Sequence, residues 1–205
     1  MENNLNFAFD MDDTFVDFIG KTMGEYVGET IPFLSLVRRE KYFAVEPDSS
    51  IISDYKNDGS FYQKTFVNFY LLNYMKEKRK KHNVKVVSAS ICNDSPIYTS
   101  KKKFLEDNLK NLEHHLVIGH HNKGQFLSEE HTNIVFDDRL ENFKDFIGKK
   151  NVLIFTNKCR YNSNFLFDYK GDTTNVVFLN QPLILSNKQD IEDIDNIINK
   201  FIRKG

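Results

Sequence analysis

Two aspartates one residue apart are the first groups in this chain that could do chemistry. The segment Asp-Met-Asp-Asp-Thr at 10–14 follows an apolar run at 5–9. On an extended chain, side chains at i and i+2 point the same way, so Asp10 and Asp12 are predicted to face one point. Carboxylates about 4 Å apart repel by roughly 4 kcal/mol at a surface-like dielectric, so the pair needs a cation, a shared proton or separation. Mg²⁺ suits a few carboxylates together with a phosphate.

Other structures also place aspartates after a strand. A turn or a helix cap uses a single aspartate in this way. A calcium-binding EF-hand loop beginning at Asp10 is excluded, because Phe15 stands where that loop needs glycine and Lys21 where it needs a bidentate glutamate. From this segment alone, the turn and the magnesium site both remain open.

A second acidic pair repeats the arrangement. The apolar run 133–136 ends in Asp137 and Asp138. If the two strands are neighbours in a parallel sheet, all these carboxylates meet at its C-terminal edge, where open α/β sheets bind ligands. The alternative is a turn in which Asp138 caps a helix that begins near Leu140.

Two further segments carry groups that suit a phosphate. Ser88 and Ala89 follow the apolar run 84–87, and a hydroxyl with free backbone N–H groups at that point can hold a phosphoryl oxygen. Lys123 lies in the segment that precedes the second acidic strand, where its ammonium can balance phosphate charge. A solvated surface lysine is the alternative for Lys123.

Taken in order, Asp-x-Asp, Ser, Lys and Asp-Asp resemble the four motifs of the haloacid dehalogenase-like (HAD) phosphohydrolases. Residues 38–48 and 59–62, with Asp17 and Phe18, resemble the cap region of the 5′(3′)-deoxyribonucleotidases within that superfamily. The resemblance runs from about residue 5 to about residue 164.

The resemblance implies a mechanism. Asp10 would be the nucleophile that forms an aspartyl-phosphate, and Asp12 the general acid and then the general base. Ser88, the Ala89 N–H and Lys123 would hold the phosphoryl oxygens. Mg²⁺ would be bound by Asp10, the backbone carbonyl of Asp12, and Asp137 or Asp138.

The resemblance also suggests substrate contacts. Phe18 and Phe61 become candidates to stack on a nucleotide base. Lys101 precedes an aromatic residue, as a lysine does in related nucleotidases, and is the second candidate for the phosphate lysine.

This sequence departs from the family pattern at three points. Asp13 replaces a glycine, Ser88-Ala89 replaces Thr-Ser, and His121 replaces an arginine. Strand alternation predicts that the Asp13 side chain points away from that of Asp12.

The function predicted is therefore Mg²⁺-dependent hydrolysis of phosphomonoesters, with a nucleoside monophosphate as substrate. Three alternatives stay open: a HAD phosphatase for another small phosphoester, a polynucleotide-end phosphatase, and a non-catalytic nucleotide-binding protein. The resemblance also points, loosely, to a homodimer.

The positioning elements are predicted from hydrophobic periodicity. Strands at 5–9, 84–88, 116–118, 133–136 and 152–155, with an edge strand at 176–179, alternate with helices such as 63–81, 100–112 and 188–201. Alternation of this kind predicts an α/β fold with a mostly parallel sheet, here a Rossmann-like HAD fold. Residues 1–14 and 83–205 would form the core. Residues 15–82 are too many for one crossover helix and would form a small helical cap.

Composition limits the partners. The 205 residues carry a net charge of −1 with 40% hydrophobic content, which is ample for one core and offers no basic field for nucleic acid. Two distant cysteines predict reduced thiols. With no signal peptide and no apolar stretch near the ~18 residues of a membrane span, a cytoplasmic protein without a membrane partner is expected.

Two histidine pairs, at 114–115 and 120–121, invite a zinc interpretation. No cysteine or acidic residue completes a ligand set at the usual spacing, so a structural or surface role is predicted instead.

Overall fold

A computed structural model describes residues 4–18, 57–90, 93–110, 112–118, 123–157, 160–179 and 188–203. Most of the predicted cap, including residues 38–48, therefore lies outside the described residues. So do His120, His121 and both cysteines, Cys92 and Cys159.

A single parallel sheet organises the described part of the chain. Its six strands lie in the order β3-β2-β1-β4-β5-β6, and every neighbouring pair is parallel. This confirms the predicted α/β, Rossmann-like class. The strands are β1 (Asn6–Phe9), β2 (Asn83–Ser90), β3 (Glu113–Ile118), β4 (Asn133–Phe136), β5 (Val152–Asn157) and β6 (Val176–Leu179).

The central strands are apolar because both faces of the sheet are covered. Every residue of β1, β4 and β5 is buried, which is the pattern of a parallel sheet between two layers. On one face, the Phe9 and Phe136 rings stack at 4.6 Å, and the Phe136 and Phe155 rings at 4.8 Å. The other face packs smaller side chains from the same strands, among them Ala8 and Val135.

The described α-helices are α1 (Phe69–Lys78), α2 (Pro96–Asn108), α3 (Arg160–Asp168) and α4 (Lys188–Ile202). Short 3₁₀ segments are η1 (Tyr62–Lys64), η2 (Lys123–Phe126) and η3 (Leu140–Phe146). Within these ranges, no helix has the length and apolar character needed to cross a bilayer.

Two predicted helices begin elsewhere, and the reason is capping. The prediction of one helix over 63–81 was wrong, because Asn68 accepts a hydrogen bond from Leu71 N and starts α1 only at Phe69. The helix predicted at 100–112 begins at Pro96, where Ser95 caps it and proline suits the first turn. Helix α3 was not predicted.

The two ends of the segment between β1 and β2 lie side by side. Val16 and Val67 form a β-bridge, and the backbone N–H of Asn68 donates to Phe15 O at 2.8 Å. From η1 onward the chain packs into the main core, where Phe61 and Leu71 are fully buried. The described C-terminal part of the predicted cap therefore packs on the core, and the helical cap predicted over residues 15–82 stays a prediction.

The strand order creates a switch point, a position at the end of the sheet where a ligand can bind. Strands β1 and β4 are neighbours, while the chain runs outward from them in opposite directions, to β2 and β3 on one side and to β5 and β6 on the other. Open α/β sheets bind ligands at such a switch, beyond the carboxyl ends of the strands. Asp10 directly follows β1, and Asp137 directly follows β4.

Candidate active site

Asp10 lies at the centre of the site. Its Oδ1 accepts hydrogen bonds from Met11 N and Ser88 Oγ, each at 2.7 Å, and its Oδ2 lies 2.8 Å from Lys123 Nζ. Burial alone would raise the pKa of Asp10, but Lys123, Lys101 and these hydrogen bonds bring the pKa below its usual value. Asp10 is therefore held as an anion, the form that a nucleophile needs.

Lys123 bridges the two acidic segments from η2. Its Nζ lies 2.7 Å from Asp137 Oδ2 as well as beside Asp10, and the side chain is 1% exposed. Burial lowers the pKa of Lys123, but Asp10 and Asp137 outweigh it and raise the pKa, so the ammonium stays charged. The next residue is Gly124, where a Cβ would overlap the Phe146 ring, so only glycine lets η2 approach this closely.

The second acidic pair is held rigidly from its own loop. Asp137 Oδ1 accepts from Arg139 N at 2.8 Å and from Asn142 Nδ2 at 2.9 Å. Burial raises the pKa of Asp137 to about 6, with Lys123 opposing the rise and Asp10 adding to it. Burial also raises the pKa of Asp138, and the neighbouring carboxylates Asp137 and Asp10 raise it further.

These carboxylates could hold a divalent cation. Ligand atoms of Asp10, Asp137 and Asp138 all lie within 4.8 Å of one another. Their oxygens are the hard ligands that Mg²⁺ prefers. With Asp12 and Asp13, five carboxylates share this edge with the ammonium groups of Lys101 and Lys123. The surplus of negative charge would repel a phosphate dianion, so the residues present fit a cation at this position.

Sequence reasoning missed the residue that fixes the acidic loop. Asn162, on α3, is fully buried and donates through Nδ2 to the Asp138 carbonyl at 2.8 Å and to Thr156 Oγ1 and Asn157 O at 3.0 Å. Its Oδ1 accepts from Leu140 N at 3.0 Å. An asparagine at the start of a helix is too common to stand out in one sequence, so no local signal marks it.

The two candidate lysines form ion pairs with different aspartates. Lys101 Nζ donates to Asp12 Oδ2 and to the Ala89 carbonyl, both at 2.7 Å. Lys123, in contrast, contacts Asp10 and Asp137. Asp12 also accepts a 2.9 Å hydrogen bond from the Tyr62 hydroxyl, and its side chain is 27% exposed. Of the two lysines, Lys123 is the one that contacts Asp10, the predicted nucleophile.

The candidate base contacts lie against each other. The Phe18 and Phe61 ring centroids are 5.3 Å apart, and Phe61 also packs on Tyr62. Phe61 is 0% exposed, whereas stacking on a base needs an open ring face. In this structure Phe61 is a core residue, and of the two only the half-buried Phe18 has surface for a ligand.

The predicted direction of Asp13 rested on strand alternation, which does not apply here. Strand β1 ends at Phe9, and residues 11–16 form a turn in which Asp13 N donates to Val16 O at 2.7 Å. Asp13 has a φ of +53°, in the left-handed region. Its charge contributes to the raised pKa of Asp138, so the turn does not separate it from the site.

The backbone at position 13 leads to a stability prediction. Asp13→Ala should be less stable than Asp13→Gly by about 1 kcal/mol, because a Cβ at positive φ is strained. The greater conformational entropy of glycine in the unfolded chain offsets part of this difference. Both variants remove the same carboxylate, so their difference isolates the backbone. Urea unfolding of the two measures it, and equal stabilities would contradict the positive φ.

The described histidines have structural contacts. His115 Nε2 lies 2.5 Å from Glu113 Oε1, and the His115 ring stacks on Phe126 at 4.1 Å. His114 Nδ1 lies 3.2 Å from the Leu112 carbonyl.

Comparisons with known proteins add little to this geometry. No protein-family model matches the chain, and no curated protein matches it. One similar solved structure is that of a protein from Burkholderia xenovorans LB400 described as a haloacid dehalogenase-like hydrolase. The match has 15% sequence identity and a TM-score of 0.46, and it covers 90% of this chain and 99% of that chain.

Proposed function

We propose that this protein is a Mg²⁺-dependent phosphomonoester hydrolase of the HAD type that works through an aspartyl-phosphate on Asp10. The observation that carries the proposal is convergence on one carboxylate. Ser88 from the end of β2 and Lys123 from the segment before β4 both contact Asp10, and Asp137 shares that lysine. Four motifs far apart in the sequence thus meet at the switch point of the sheet.

In the first step, an oxygen of Asp10 attacks phosphorus and the bond from phosphorus to the ester oxygen breaks. Asp12 gives a proton to the departing oxygen. Lys123 and the Ser88 hydroxyl would stabilise the negative charge on the phosphoryl oxygens when these oxygens move into one plane in the transition state. Splitting hydrolysis into two displacements lowers each barrier.

In the second step, water attacks the phosphorus of the aspartyl-phosphate. Asp12, now a carboxylate, takes the proton of that water, and the bond between phosphorus and Asp10 breaks to release inorganic phosphate. Asp12 suits both steps because its side chain is part-exposed, whereas Asp10 is 6% exposed and paired with Lys123.

Asp10, Asp137 and Asp138 are the side chains that would hold Mg²⁺, joined by the backbone carbonyl of Asp12. The bound ion would screen the repulsion between the carboxylates and the phosphate. The raised pKa values of Asp137 and Asp138 support this role, because burial and then the neighbouring carboxylates raise them, and a bound cation would offset both causes.

For the substrate, we propose a nucleoside monophosphate, as in the 5′(3′)-deoxyribonucleotidases. The support is the resemblance of residues 38–48 and 59–62 to the cap of those enzymes. A second support is the Phe18 ring, which is half-buried and so has surface for a base. Lys101, the second candidate for the phosphate lysine, lies beside Asp12.

The proposal is tested by phosphate release from 5′- and 3′-ribo- and deoxyribonucleoside monophosphates, with Mg²⁺ or with EDTA. Sugar phosphates and a phosphorylated oligonucleotide belong in the same panel. We expect monophosphate turnover that EDTA stops and Mg²⁺ restores. Turnover of another phosphoester alone would keep the hydrolase and reject the nucleotidase, while binding without any turnover would reject both. Chelator-resistant turnover would contradict the carboxylate metal site.

A further inference from the structure

Both carboxylate oxygens of Asp12 accept hydrogen bonds, from groups on two different elements. The Tyr62 hydroxyl of η1 donates to Oδ1 at 2.9 Å, and the Lys101 ammonium of α2 donates to Oδ2 at 2.7 Å. Tyr62 and Lys101 are each 2% exposed, whereas the Asp12 side chain is 27% exposed. The donors thus lie behind the carboxylate and leave its outer edge open to a substrate.

The two donors are themselves held in place. Lys101 Nζ also donates to the Ala89 carbonyl and lies 5.5 Å from the centre of the Tyr62 ring. Ser100, the residue before Lys101, accepts from Tyr62 N at 3.0 Å and donates to Gln63 Oε1 at 2.7 Å. Hydrogen bonds therefore join helix α2 to segment η1, and the two elements each direct one donor at Asp12.

The geometry points to Tyr62 and Lys101 as positioning residues for proton transfer by Asp12, an inference that rests on the proposed function. Each donated hydrogen bond fixes one oxygen and so fixes the plane of the carboxylate. The outward side of the carboxyl group then presents its proton to the ester oxygen in the first step and a lone pair to the attacking water in the second. Small errors in such an orientation cost large factors in rate.

A purely structural role is the competing explanation. The Tyr62 ring fills core space, and a buried lysine needs an anion wherever it lies. However, phenylalanine would fill the core equally well, and buried ion pairs are weak evidence for stability in themselves.

The test compares Tyr62→Phe with Tyr74→Phe. Tyr74 is likewise buried, and its hydroxyl donates to an aspartate, Asp195, at 2.7 Å, but it lies outside the site. With the best substrate of the panel, we expect Tyr62→Phe to lower kcat about 10-fold or more, since positioned acid–base groups contribute about 10²–10⁴-fold. KM should change less than about threefold, because the hydroxyl does not bind the substrate. Tyr74→Phe should leave both unchanged.

A second readout separates positioning from structural damage. The leaving group of p-nitrophenyl phosphate departs without a proton donor, so only the water step then needs Asp12. During turnover of this ester, the acid-trapped phosphoenzyme fraction should rise in Tyr62→Phe, and in Lys101→Met if that variant folds. A fall in kcat with a proportional fall in trapped enzyme would overturn the inference, as would kinetics equal to those of Tyr74→Phe.

Failure of this inference differs from failure of the proposed function. Wild-type protein without turnover, or turnover that does not depend on Asp10, would reject the hydrolase itself. Asp10-dependent turnover that is indifferent to Tyr62 would reject only the positioning role.

Discussion

Asp10→Asn should give a folded protein whose turnover has fallen at least about 1,000-fold, the scale of loss when a nucleophile is removed. A neutral amide oxygen is a poor nucleophile, and in either orientation the amide NH2 would face a donor that now bonds to the carboxylate, either Lys123 or Ser88. Folding should survive, because the variant removes one charge from a site crowded with carboxylates. Phosphate release with the best substrate of the panel measures the loss, and circular dichroism checks the fold. Retained activity would refute the aspartyl-phosphate mechanism.

The matched control is Asp12→Asn, which removes the neighbouring charge but spares the nucleophile. With p-nitrophenyl phosphate labelled at phosphorus, Asp12→Asn should retain label on the protein after acid quenching, because formation of the intermediate continues while its hydrolysis slows. Hydroxylamine should release that label, as expected for an acyl phosphate. Asp10→Asn should carry none, and label on it would place the nucleophile elsewhere.

The sheet could be predicted because its signals are local. Fully buried parallel strands are continuous apolar runs, and the run predicted at 133–136 matches β4 residue for residue. The run at 176–179 matches the half-buried edge strand β6 equally well. Once these strands are known to be parallel, their carboxyl ends must meet at one edge. With β1 lying between β2 and β4 in that sheet, Asp10 must then lie near Ser88 and Asp137.

The pairing of the lysines could not be predicted in the same way. Lys101 and Lys123 both lie outside the strands, and which aspartate each one meets depends on how α2 and η2 pack on the sheet. Tyr62 packs in the core, but the partner of its hydroxyl depends on η1 lying beside α2. No periodic pattern of residues in the sequence marks contacts of this kind.

Asp13 shows where a local rule fails. Alternation was extended past the end of β1 into a turn, and a positive φ at that position is what a glycine there would have indicated. The aspartate in its place conceals the turn, because aspartate tolerates this conformation better than most residues.

Lys123→Met should lower the free energy of unfolding by about 3–5 kcal/mol at pH 7.5 in EDTA, since it leaves Asp10 and Asp137 buried without their shared cation. The loss should shrink toward pH 5. Lys123 stabilises the ionised carboxylates, and Asp137 already has a pKa of about 6 with the lysine present. Without it, both carboxylates should protonate at higher pH, and a neutral carboxyl group needs no ammonium.

Urea unfolding at both pH values measures the effect, with Lys102→Met as the control. Lys102 lies on α2 with an exposed side chain 3.9 Å from Glu106, so its loss should cost less than about 0.5 kcal/mol. Adding Asp137→Asn to Lys123→Met should restore part of the stability, because one of the two unpaired charges is removed. A loss that is equal at both pH values, or strictly additive in the double variant, would mean that Lys123 supports the fold by packing rather than by charge. The same ammonium could then not be credited with balancing a phosphate.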